Sequence, residues 1–93
     1  MPIDTDDLSD RTYKAILSEA EKFHHDLTLQ FGVLTEECAD EDMFIRKSEE
    51  LVREMMTYDE SEMDDIFFDE PPTRTEFRNA LKRILSNISK LKK

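Results

Sequence analysis

The chain has 93 residues, 38% of them hydrophobic and 39% charged, and carries a formal net charge of −10 at pH 7. A chain this short makes one domain, 1–93, with a simple core, because small domains bury only about 60 to 65% of the surface their unfolded chains expose. A strongly acidic surface repels phosphate backbones, and no run approaches the ~18 apolar residues of a membrane span, so neither direct nucleic-acid binding nor a membrane location is expected.

Cys38 is the one cysteine, so no internal disulfide can form, whereas small secreted domains usually lean on several. The N-terminal string MPIDTDDLSD lacks the basic and apolar regions of a secretory signal. A reducing, cytoplasmic setting is the expectation. With one Gly and three Pro, the chain has little material for hairpin turns, and its apolar residues recur at three and four rather than at two. An all-α fold follows.

In chain order, the first helix is expected over about 9–37, opening at Ser9 or Asp10, both good N-cap types. Tyr13, Leu17, Ala20, His24, Leu27, Phe31, Leu34 and Cys38 step along it by fours and threes, a single inward stripe. Gly32 falls inside the pattern, costs about 1 kcal/mol relative to Ala in a helix interior, and marks a close contact or a kink. Cys38 to Asp42, CADED, reads as a turn in which Asp40 caps a second helix, about 41–58, with Glu41 and Asp42 at the positive end of its dipole. That helix turns Phe44, Leu51, Met55 and Tyr58 inward, with Ser48 as a small polar insertion; an unbroken helix from Ser9 to Tyr58 is the weaker alternative. Pro71 and Pro72 stop any helix running into them. Thr73 and Glu76 then have the spacing of a capping box for a third helix, about 74–92, whose stripe is Phe77, Leu81, Ile84, Ile88 and Leu91.

The expected architecture is therefore a small three-helix bundle with an acidic connection between the second and third helices. Tyr13, Leu17, Leu27, Phe31, Phe44, Leu51, Met55, Phe77, Leu81, Ile84 and Ile88 are expected to share its core. Charge is divided along the chain: residues 1–72 carry 22 acids against 6 bases, while residues 73–93 carry 1 acid against 7 bases. The simplest reading sets the basic third helix against its own acidic bundle.

The connection itself reads DESEMDDIFFDEPP over 59–72, with seven carboxylates around Ile66, Phe67 and Phe68. Asp59 and Glu70 stand where the first and twelfth ligands of a calcium loop would, but Ser61, Met63 and Asp64 occupy positions three, five and six, and the sixth needs Gly. An EF-hand is excluded. Two uses remain for the triplet: a plug that closes one end of the bundle, or a docking segment in which Asp64, Asp65, Ile66, Phe67 and Phe68 engage a basic, grooved partner. Two adjacent rings cannot both stay wet cheaply, so at least one is expected inside, with the acids outward as a negative rim.

Glu21 and His24 form an E-x-x-H, the spacing that carboxylate-bridged di-metal proteins use on two of their helices. A symmetric dimer could supply the second copy of the motif, with Glu50 or Glu54 of the second helix as bridging ligands, but a core histidine hydrogen-bonded to Glu21 or a neighbouring acid is the plainer reading. LTLQFGVLTEE at 27–37 sets Leu27, Phe31, Gly32 and Val33 where a helix-turn-helix wants them, but its second helix would bring five acids, TEECADED, to DNA. Glu36, Glu37 and Asp40 beside Cys38 raise rather than lower a thiol pKa, and a single Gly supplies no phosphate loop.

Taken together, these observations imply a small acidic protein that is not an enzyme, needs no cofactor, and works by binding a protein partner or a second copy of itself. The alternative is a carboxylate and histidine di-metal protein assembled at a dimer interface. A third reading is an acidic protein that presents carboxylates in place of phosphates to a nucleic-acid-binding partner.

Overall fold

A computed structural model describes residues 8–68 and 70–92, which form five helices and no strand. Helix α1 covers 10–23 and comprises an opening turn (Asp10–Thr12), a π-helical stretch (Tyr13–Ser18) and an α-helical close (Glu19–Phe23). It is followed by α2 (His25–Glu37), α3 (Glu41–Met55), α4 (Glu60–Ile66) and α5 (Arg74–Leu91). The all-α expectation holds; the three-helix count does not.

The first long helix is broken at His24, whose backbone is extended at φ −163°, ψ 133°. Its imidazole Nδ1 accepts from the Asp26 amide at 3.1 Å, so a histidine serves as the N-cap that Ser, Thr, Asp or Asn usually provide. The apolar rhythm survives the break because Leu27 and Phe31, after the restart, are buried as fully as Leu17 and Ala20 before it. A second difference lies in α1. Helical turns widened to i→i+5 bonding carry more residues each, and Thr12, Ile16 and Ala20, spaced by four, are buried together with Leu17. Tyr13 is displaced from the expected stripe and stands 41% exposed. The Ala15 carbonyl in the widened stretch accepts from the Asn87 side chain of α5 at 3.1 Å.

The acidic connection also contains a helix. Asp59 caps α4 by accepting from the Glu62 amide at 2.9 Å, and Glu60 and Glu62 in the first turn suit the positive end of its dipole. Met63 and Ile66, three apart, turn inward.

The remaining ends follow the local chemistry. Ser9 caps α1 and Asp40 caps α3. Thr73 and Glu76 close a capping box in both directions, at 3.1 Å and 3.4 Å. At the start of α3, Glu41 reaches back to the Ser9 amide at 2.6 Å, joining the N-termini of two helices 32 residues apart. The last turn of α3 tightens through Thr57 and Tyr58, so that helix ends three residues before its expected limit at 58.

Helix α5 packs on α1 and α3, while α2 packs on α1, α3 and α4. Between them lies one hydrophobic cluster that includes Ile16, Leu17, Leu27, Phe31, Phe44, Val52, Met55, Phe77, Leu81, Ile84 and Ile88. Each such side chain contributes about 1.5 to 3 kcal/mol relative to leaving it in water. Leu51, expected inside, is half-buried at its edge. The Cα radius of gyration is 12.6 Å, close to the ~12 Å of a compact chain of this length.

Ser48 is fully buried on α3, and its hydroxyl has no hydrogen-bond partner among the described residues. Gly32 has negative φ, and a Cβ there would meet nothing within 4 Å. It marks neither a close approach nor the kink, which belongs to His24.

The basic third helix of the sequence does lie against the acidic bundle. Arg83 of α5 pairs with Glu19 of α1 at 3.4 Å, and Lys92 pairs with Glu49 of α3 at 2.7 Å.

Candidate interaction surface

The two adjacent phenylalanines of the acidic connection part company. Phe67 is 3% exposed and Phe68 82%. The Phe67 ring meets Phe77 of α5 edge-on with centroids 5.3 Å apart, Phe23 of α1 at 6.3 Å, and the His24 imidazole at 4.8 Å. Phe23 in turn stacks on Phe77 at 6.5 Å. Edge-on aromatic pairs at such distances add about 0.5 to 1.5 kcal/mol beyond the area they bury. Phe67 is therefore the plug, closing the bundle where α1 breaks, and Ile66 is buried beside it.

Phe68 faces water, but its backbone is held. Its amide donates to Asp26 Oδ2 at 3.0 Å, across 42 residues of sequence. Asp26 also lies in the first turn of α2, where its amide is capped by His24. One carboxylate thus fixes the chain leaving α4 to the head of α2.

From that point an exposed apolar strip runs down the outside of α2. Leu29 and Val33, one turn apart and three and seven residues beyond Asp26, are 49% and 57% exposed. Residues at these spacings share one face of a helix. The opposite face of α2, with Leu27, Phe31 and Thr35, is buried.

The formal charge on α2 and on α4, which packs on it, is of one sign. Helix α2 has the acids Asp26, Glu36 and Glu37 and no Lys or Arg; α4 has Glu60, Glu62, Asp64 and Asp65 and again no Lys or Arg. His25 is the one basic side chain on either helix. The acids of 59–70 that are described, including Asp64, Asp65 and Glu70, are exposed, as the negative-rim expectation holds; Asp69 lies outside the described residues. Apart from Lys93, also outside them, every Lys and Arg of the chain lies on α1, α3 or α5 or caps α5.

The residues of the metal alternative are placed as follows. Glu21 is exposed on α1, Glu50 and Glu54 are exposed on α3, and His24 is partly buried in the break. The E-x-x-H therefore spans the end of a helix rather than two turns of one. Among the described residues, no three His, Cys, Asp or Glu side chains gather in a way that could hold a metal ion. The depression beside His24 is lined by Glu19, Lys22, Glu76 and Arg83 among others, charges of both signs that include the Arg83 and Glu19 pair.

Cys38 is 1% exposed, and burial pushes its thiol above the ordinary value, with Glu37 and Asp40 adding to the effect and Lys47 opposing it. It stays protonated at neutral pH, unlike a nucleophilic thiol. No described helix is long and apolar enough to cross a membrane.

Asp26, Leu29 and Val33 were not among the sequence-derived candidates. The signal was present, since Leu29 and Val33 are four apart and both lie off the inward stripe of α2. Compared with protein-family models, curated proteins and solved structures, the chain matches none.

Proposed function

We propose that this chain is a non-enzymatic, acidic interaction module that works in a reducing, cytoplasmic setting by binding another protein through the strip of Leu29, Val33 and Phe68. Asp64 and Asp65 belong to the charged rim of that surface, while Ile66 and Phe67 hold it from within. The observation that carries this reading is the treatment of Phe68. A phenyl ring left in water forgoes about 1.5 to 3 kcal/mol of transfer free energy, yet the backbone behind it is anchored to Asp26 rather than left loose.

Large apolar side chains exposed along one face mark interaction sites more often than isolated ones do. Leu29, Val33 and Phe68 are three of the four large hydrophobic residues that stand exposed among the described residues; the fourth, Tyr13, is on α1. The acids on α2 and α4 steer a cationic partner toward them and discourage an anionic one.

A photo-crosslinking phenylalanine analogue placed at Phe68, at Arg46 or at Ser86 tests the reading in cells. All three positions are exposed, on the strip, on α3 and on α5 respectively. The expected result is a discrete crosslinked protein from position 68 and none from positions 46 and 86. Equal crosslinking from all three, or none at 68, would overturn it. Elemental analysis of protein purified without chelator checks the non-enzymatic half: near-stoichiometric iron, manganese or zinc that disappears in His24→Ala would replace this reading with the di-metal one.

A further inference from the structure

Resting on the reading of the strip as a docking surface, we propose that its occupant is a cationic amphipathic helix of another protein. Such a segment has apolar residues at three- and four-residue spacing and Lys or Arg on both flanks.

Three features of the surface point to this chemistry. The first is the backbone requirement. An extended peptide bound to a protein must find partners for its amides and carbonyls, usually on a strand edge. The described residues contain no strand, whereas a helix satisfies its own backbone and needs only side-chain contact. The second is shape. Leu29 and Val33 form a ridge along the outer face of a 13-residue helix, about 20 Å long at 1.5 Å per residue. Ridges of this kind pack into the grooves of a second helix. Phe68, tied to the head of α2 through Asp26, stands as an aromatic anchor at one end.

The third is charge. Helix α2 and the helix α4 packed on it carry Asp26, Glu36, Glu37, Glu60, Glu62, Asp64 and Asp65, with His25 as their one basic side chain. The molecule already holds one cationic amphipathic helix in this manner. Its own α5 buries Phe77, Leu81, Ile84 and Ile88 and sets Arg83 and Lys92 against acids of α1 and α3. Helix α2 presents an apolar face with acids, and no helix among the described residues covers it. The net charge of −10 decides between the two protein partners the surface admits: a second copy meets long-range repulsion as it approaches, and a cationic segment meets attraction.

The test uses an 18-residue Leu/Lys peptide with Leu at i, i+3, i+4 and i+7 and Lys elsewhere, and a peptide of the same composition in scrambled order. Binding is followed by amide chemical shifts of the full chain. The expected result is binding of the patterned peptide with shifts centred on Asp26, Leu29, Val33 and Phe68. Affinity should fall about tenfold in Phe68→Ala, as for an interfacial hot spot, and should also fall with added salt. The scrambled peptide, which carries the same charge without an apolar face, should bind at least tenfold more weakly.

Equal binding of the two peptides, or shifts centred on another face, would overturn the proposal, since attraction would then be a matter of charge alone. Shifts on the same strip when the chain is concentrated by itself would assign the surface to a second copy and also overturn it. If position 68 crosslinks a protein in cells while the patterned peptide has no preference for the strip, the occupant is wrong and the docking surface stands. If both experiments fail, the surface is not a docking site.

Discussion

Helices α5 and α2 treat their apolar residues differently. Helix α5 puts Phe77, Ala80, Leu81, Ile84 and Ile88 into the core and pairs cations of its outer side with Glu19 and Glu49. Helix α2 buries Leu27, Phe31 and Thr35 but leaves Leu29 and Val33 in water, among acids and without a Lys or Arg of its own. A helix with one apolar stripe has one face to cover, and α5 covers it within the chain, against α1 and α3. A helix with a second stripe has a second neighbour to satisfy, and α2 has none among the described residues on that side. The same division recurs at the scale of two residues, with Phe67 inside and Phe68 outside.

The comparison is sharpened most by truncating each helix in turn. Leu81→Ala removes a fully buried side chain from α5 and should cost about 2 to 5 kcal/mol in chemical denaturation, a large share of the ~5 to 15 kcal/mol that holds a small domain together. Val33→Ser on the exposed face of α2 should change stability by no more than ~0.5 kcal/mol. Comparable losses from both would mean that the outer face of α2 is part of the core after all.

A smaller effect is expected where α1 and α3 are joined. The Ser9 amide, donating to Glu41, holds that carboxyl below its ordinary value of 4.5. Because the folded pKa is the lower one, its contribution to stability is complete above about pH 4.5 and is lost as pH falls through the folded value. Glu41→Gln should lower stability at neutral pH by about 1 kcal/mol and flatten the acid limb of a denaturation series. A limb with unchanged slope would remove Glu41 from the account. The Lys92 ammonium similarly lowers the carboxyl of Glu49, which is partly exposed on α3.

The smallest effect has the opposite sign. Gly32→Ala should stabilise the chain by about 0.4 to 1 kcal/mol, because the position has helical φ and open space for a methyl group. A loss of stability would show that the α2 face near Leu29 and Val33 makes a contact not accounted for.

How much of this was legible in the residues differed from element to element. Helix α5 was readable to within a residue or two, because Pro71, Pro72, Thr73 and Glu76 fix its start by local chemistry alone. The break at His24 was not, since its cap is an imidazole nitrogen and the inward rhythm resumes in register beyond it. Tyr13 was misplaced because, beside the π-helical stretch, Thr12 takes the inward position in its stead while Leu17 and Ala20 stay inside, and nothing in a count of threes and fours announces such widening. Helix α4 was hidden under its carboxylates, although Asp59 and Glu62 carry the spacing of a cap and Met63, Ile66 and Phe67 step by three and four toward the core. Energy alone required one of the two rings to be inside; only the helix before them determines which. The outer strip was half visible, Phe68 from composition and Leu29 and Val33 only once α2 was known to face inward with its other side.

The division between Phe67 and Phe68 can be broken by one pair of variants. Phe67→Ala and Phe68→Ala should be compared in chemical denaturation at pH 7. Phe67→Ala should lose about 3 to 5 kcal/mol, as for a buried ring in a core. Phe68→Ala should lose less than ~0.5 kcal/mol, because its residue is 82% exposed. Equal losses from the two, or a larger loss from Phe68→Ala, would contradict it, because the ring assigned to a partner would then belong to the fold.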